Sequence, residues 1–256
     1  MKGLPSIFRE RSRELSFGFA TNLLSAFGQS YFVSLFLLSL VAAAGISQGM
    51  FGLLYSGATL AAALILPFFG RWMDRAGERV AFIAAGLGLL TSLLLLSNTA
   101  SWWMLVLALF GLRAFGQGAM TLLSAASVAR RFESKRGLAL GLTNLGFPAA
   151  EMILPSITIL AISLMGWRGT VLMYALLLVV IMLGMHMWVL SFAKVPATAA
   201  PPVRTAGKAR RLQRFRWWRD RFFVVVTASS IVMPFGGTIM LLYLAPISQD
   251  KGWGLD

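Results

Sequence analysis

The sequence predicts an all-α, polytopic membrane protein, and three observations carry that prediction. Of its 256 residues, 58% are hydrophobic and only 12% charged, whereas soluble domains carry about 25% charged residues. Near-charge-free stretches of about 20 residues, the length of a bilayer-crossing helix, recur along the whole chain. The basic residues gather in every second connection between those stretches. Alternating apolar–polar runs of about 10 residues, the mark of a membrane β-barrel, are missing.

Seven spans follow from the apolar runs, near 15–40, 46–69, 80–97, 102–128, 138–164, 169–193 and 221–245. The first run is too long for the apolar stretch of a secretory leader, which measures about 7–15 residues, so it is predicted to remain as a helix. Connections 1–14, 70–79, 129–137 and 194–221 hold 20 of the 23 basic residues. Those at 41–45, 98–101, 165–168 and 246–256 hold only Arg168 and Lys251, and Arg113 alone falls inside a span. Positive loops stay on the cytoplasmic side. The N-terminus and the 194–221 loop are therefore predicted to be cytoplasmic, in an integral, multi-pass protein of the bacterial inner (plasma) membrane.

The same asymmetry accounts for the formal net charge of +14. A basic surface explained by orientation requires no nucleic acid, and none is expected as a partner. The expected partners are the lipid bilayer and a small-molecule substrate, with protons as a candidate coupled species. Residues 1–193 read as an N-terminal six-helix bundle, 194–220 as a basic cytoplasmic linker, and 221–256 as the first helix of an incomplete C-terminal bundle. The linker ends in LQRFRWWRDRFF, which sets Trp217 and Trp218 among arginines, as at lipid headgroups. The remaining chemistry argues against an enzyme. There is one His, no Cys, no G-x-S-x-G elbow, no Walker loop and no metal-ligand cluster, so neither cofactor nor metal is expected.

One loop is unusual for so apolar a chain. GRWMDRAGERV, residues 70–80, packs Arg71, Asp74, Arg75, Glu78 and Arg79 between two spans. Its Gly70, Asp74, Arg75, Gly77 and Arg79 follow G-x-x-x-D-R-x-G-x-R, which resembles the signature between helices 2 and 3 of the major facilitator superfamily. Arg113, Gln117 and Gly118 in the fourth span resemble that family's arginine motif, with one extra residue between the arginine and the Gln-Gly pair. KRGLALGL at 135–142 and GWR at 166–168 are similar to the branch that carries monocarboxylates and oxalate or formate.

This resemblance covers roughly residues 15–245. It implies a secondary transporter, symporter or antiporter, built from two six-helix bundles. In this chain the C-terminal bundle beyond helix 7 is missing, so a fragment of a longer protein is expected. The resemblance also implies that Asp74 caps the cytoplasmic end of helix 2 and faces a helix N-terminus in the other bundle, where unpaired N–H groups favour a carboxylate. Gly70 and Gly77 would give the turn its freedom, and Arg75 and Arg79 would pair with carboxylates or lipid phosphates. The loop is then a cytoplasmic gate; the alternative is a loop that only sets orientation. Two departures stand out. Glu78 occupies a position that is usually basic, and Gly146-Phe147-Pro148-Ala149-Ala150 differs from the paired-glycine pattern of drug antiporters.

Two ionisable residues lie deep. At about 1.5 Å per residue, Arg113 is about 16 Å into the fourth span and Glu151 about 20 Å into the fifth. Both fall near the midplane of a core about 30 Å thick. Such groups cost at least about 2.5–3.5 kcal/mol to insert and read as functional. Two arrangements are open. Arg113 and Glu151 could form a pair tying helices 4 and 5. Alternatively Arg113 holds an anionic substrate bidentately while Glu151 takes a proton. Asn22, Ser25 and Gln29 share a face of the first span at helical spacing, and Asn144 shares one with Glu151. With Gln117 these are the substrate and proton-coupling candidates, although such faces also bond to neighbouring helices. His186, near the end of the sixth span, reads as a packing residue.

The expected function is secondary active transport of a small solute, an organic anion or monocarboxylate, by alternating access. The alternative is a truncated, non-transporting membrane protein that assembles with or interferes with another membrane chain.

Overall fold

The computed structural model of the chain describes residues 4–132 and 135–192 and scattered positions between 224 and 251. The linker with Trp217 and Trp218, the side chain of His186 and most of the seventh span lie outside the described residues. The chain divides into two compact units, Met1–Val195 and Pro196–Asp256. Among the described residues every regular element of the first unit is a helix, as expected where lipid leaves backbone groups no partner but the chain itself.

The first span is broken. It runs as α1 (Leu4–Leu24), a 3-10 turn (Ser25–Gly28), a short α2 (Ser30–Ser34) and α3 (Leu37–Ala44). Gln29, between the turn and α2, is extended at φ −80° and ψ 155°, and the chain bends by 74° before α3. The second span is α4 (Gln48–Ala76), whose first turn is capped by Ser47 accepting from the Met50 N–H at 3.2 Å. Gly77, at φ 86°, ends it and lets α5 (Glu78–Ser97), the third span, start at once.

The fourth span comprises α6 (Trp102–Gly111), a π-helical segment (Leu112–Met120) and α7 (Thr121–Arg131). After α8 (Arg136–Asn144) comes α9 (Gly146–Phe192), 47 residues of nominally continuous helix. At about 1.5 Å per residue that is about 70 Å, twice the hydrocarbon thickness of about 30 Å. Gly166, at φ 71° and ψ 168°, breaks it into the fifth and sixth spans. Among the described residues four helices are long and apolar enough to cross a membrane, or five with the bent first pair, and the break at Gly166 divides the longest of them.

Small residues set the helix spacing. An added Cβ at Gly146 would come within 2.6 Å of the Phe19 carbonyl, so the fifth span lies directly on the first. At Gly86 it would meet Met182 at 1.8 Å, which presses the third span on the sixth. Phe27, Phe32, Phe36 and Tyr174 fill the space between the first and sixth spans, with ring centroids 5.2–5.5 Å apart. The Tyr174 hydroxyl meets Thr158 at 2.7 Å and joins the fifth span to the sixth. Leu60, Leu64, Phe68, Leu164, Leu176 and Leu183 are more than 60% exposed, as outward-facing apolar residues in lipid should be. At the end away from most of the basic residues, Arg168 donates to the Thr99 carbonyl at 3.0 Å and packs over Trp167, so this isolated cation closes that end.

Candidate functional site: a buried arginine between the second and fourth spans

Arg113 sits in the π segment and is only 7% exposed. Its Nε donates to Thr59 Oγ1 at 3.0 Å, and Nη1 donates to the Gly28 carbonyl at 3.1 Å. The guanidinium also lies 5.1 Å over the ring of Tyr55, whose hydroxyl is 2.9 Å from Ser30. Thr59 and Tyr55 are one helical turn apart on α4, which is why both meet the same cation. Gly28 is where helix 1 breaks, and its carbonyl, lacking an α-helical partner, accepts from the arginine.

Every one of these partners is neutral. Among the described residues no carboxylate pairs with Arg113. Of the two arrangements left open by the sequence, the Arg113–Glu151 pair is therefore not the one formed. Helix 4 turns the arginine towards α4 and the break in helix 1, whereas Glu151 lies on the exposed side of the fifth span. The Tyr31 hydroxyl is buried without a hydrogen-bond partner.

A cavity of about 280 Å³ opens beside the arginine, lined by Thr59, Ala62, Ala63, Leu66, Arg113, Gln117, Gly118 and Thr121. One wall is α4 and the other is helix 4. Gln117 therefore shares a site with Arg113, as the motif suggests. Asn22 does not. It is buried and donates to the Thr143 carbonyl at 3.0 Å and to Asn144 Oδ1 at 3.1 Å, clasping the first span to the fifth. Ser25 is spent on its own turn, donating to the Asn22 carbonyl at 2.6 Å. The face expected of Asn22, Ser25 and Gln29 fails because the helix breaks at Gln29, so spacing of three and seven no longer means one side. Asn144 is exposed and engaged by Asn22, and α8 ends there, so it does not continue regularly to Glu151.

The charged loop forms a second cluster at the basic end. Asp74 pairs with Arg130. Glu78 is held by Arg131 at 2.6 Å, by Ser127 at 3.2 Å and, more distantly, by Arg130 at 3.8 Å. Arg131 in turn donates to Ser127 Oγ at 2.5 Å. These contacts tie α4 and α5 to the last turn of α7 inside one bundle. Gly70 lies 3.3 Å from Leu122 once a Cβ is added, and Gly77 takes the left-handed φ that ends α4. Arg75 and Arg79 are exposed.

The loop spacing, the apolar helices and the arginine-bearing fourth span point one way, and one comparison decides it. The family model described as Major Facilitator Superfamily matches residues 18–256. The chain belongs to the major facilitator superfamily. It is an integral, multi-pass membrane transporter of the major facilitator kind, and members of that family are transporters rather than enzymes. No curated protein matches the chain.

For a major facilitator chain, sequence reasoning missed several partners at both sites. Thr59 and Tyr55 were visible only as polar residues in an apolar run. The Gly28 carbonyl carries no side-chain signal at all. Glu78, a departure from the usually basic position in the loop, holds two arginines of helix 4.

Proposed function

We propose that the protein moves a small organic anion, with monocarboxylates the first candidates, by alternating access, and that Arg113 anchors the anion. The observation that carries this reading is a nearly buried guanidinium whose described partners are all neutral, at the edge of a cavity. A guanidinium has five N–H donors, and two of them are used by Thr59 and Gly28. The others suit a bidentate carboxylate. The cavity of about 280 Å³ is open on one side and has room for the charged end of a small solute. Gln117 supplies a neutral donor to its far end, and the Thr121 hydroxyl, which donates to the Gln117 carbonyl, can only accept.

Glu151 is the proton carrier in this scheme. It acts from the fifth span, away from Arg113, so anion and proton need not compete for one partner. The charged loop serves as the gate at the basic end, where Asp74, 61% exposed, is free to exchange partners. Positive loops place that end in the cytoplasm of a bacterial cell. The N-terminal bundle of 1–193, the linker 194–220 and the helix begun in 221–256 then form one half of the path and its connection to the other.

Reconstitution of the full chain tests the proposal. Uptake of labelled monocarboxylates, amines and neutral sugars is compared with and without an inward proton gradient. Carboxylates are expected to exceed amines at least tenfold and to respond severalfold to the gradient. Carriage of amines or sugars without carboxylates would overturn the anion reading.

A further inference from the structure

Helix 4 holds one residue more than regular turns accommodate. A π segment inside an α-helix is the signature of a single inserted residue absorbed without disturbing the flanking turns, and such segments are frequent at functional sites. Here it runs from Leu112 to Met120 and begins one residue before Arg113. Its effect is on register. An α-helical residue advances about 100°, so the residue seven places on returns to within about 20° of the same line. Arg113 would then share its face with Met120.

It does not. Met120 is fully buried, while Gly118 and Thr121 join Arg113 and Gln117 around the cavity. Position 118 lies over residue 113, since a Cβ there would sit 3.3 Å from the Arg113 carbonyl oxygen. The segment is braced from behind. A Cβ at Gly116 would come within 2.8 Å of Gly28 Cα, and one at Gly28 within 2.2 Å of the Gln117 nitrogen. The wide turn of helix 4 thus rests on the tight turn of helix 1, and Arg113 holds that turn's last carbonyl.

We infer that the π segment is the positioning element of this cavity, setting Arg113, Gln117 and Thr121 on one wall where a regular helix would present Met120. The inference rests on the anion-site reading only for the sign of the ligand; the register stands apart from transport.

The chain has no cysteine, so a single introduced thiol reports one position. Gln117→Cys, Met120→Cys and Thr121→Cys are made separately in the full chain. Each is reacted with a small anionic and a small cationic methanethiosulfonate reagent. Positions 117 and 121 are expected to react at least tenfold faster than 120. They should also prefer the anionic reagent about fivefold, a preference lost with Arg113→Gln. Removal of Ala114, in a chain that still folds, should bring 120 into reach and slow 121 at least fivefold. If that deletion does not fold, the three thiols in the intact-length chain decide. Reaction at 120 as fast as at 121 there overturns the inference. Fast reaction at 117 and 121 without the anionic preference would keep the positioning role and overturn the anion reading instead.

Discussion

Arg113 and Arg131 belong to the same helix, yet they solve the problem of a charge in a membrane protein differently. Arg131 is 15% exposed and meets a carboxylate, Glu78, that is exposed to the same extent. Arg113 is 7% exposed and has a hydroxyl, a carbonyl and an aromatic face. The first arrangement neutralises the charge and clamps two helices. The second satisfies hydrogen bonds but leaves the positive charge uncompensated, beside a cavity. A paired charge holds structure together, whereas a buried unneutralised one is costly and points to a functional role.

The largest expected effect comes from the contact that builds the arginine's surroundings. Gly28→Ala places a methyl group between two backbones, 2.2 Å from the Gln117 nitrogen and 2.3 Å from the Leu112 carbonyl. Neither can move as a side chain could, so the cost should exceed the ~3 kcal/mol of ordinary overpacking. Size exclusion should show little monodisperse protein. A stable Gly28→Ala protein with the parent's melting temperature would show that the two helices are not interlocked.

Arg131→Gln should come next, because it removes the nearer of the two cations that hold Glu78. Loss of one partner of a partly buried pair should cost about 1–3 kcal/mol, read as a fall in Tm in detergent. Adding Glu78→Gln should recover much of it. Arg113→Gln strands no carboxylate and should change stability by less than about 1 kcal/mol, with Gln able to donate to the same neutral partners. If Arg113→Gln destabilises more than Arg131→Gln, the arginine in the membrane is the structural one and the contrast reverses. Asp74→Asn should be the mildest. Its pair with Arg130 is 61% and 41% exposed, and such pairs contribute about 0–1 kcal/mol.

Much of this was legible in the sequence, for identifiable reasons. The all-α membrane bundle was legible because burial in lipid leaves little freedom in composition, and the long apolar helices fall on the apolar runs. The loop at 70–80 was legible because its glycines and charges sit at fixed spacing. Arg113 stood out because a charge in a span is rare. What failed were statements about faces. Asn22, Ser25 and Gln29 were placed on one side by helical spacing, and the helix breaks within them. Depth arithmetic set Arg113 and Glu151 at similar levels, which says nothing about direction, and the arginine turns to α4 and the break in helix 1. The extra residue after Arg113 was visible as a spacing anomaly. The π segment packs against helix 1 through Gly116 and Gly28, a tertiary contact that no local pattern carries.

Uptake of a labelled monocarboxylate into proteoliposomes, with Arg113→Gln and Arg131→Gln protein reconstituted in equal folded amounts, tests the central claim most directly. Arg113→Gln should lose at least tenfold in uptake while melting close to the parent. Arg131→Gln should melt lower yet retain most of its uptake per folded molecule. Parent-level uptake by Arg113→Gln would contradict the assignment of the neutral-partnered arginine as the anion's anchor.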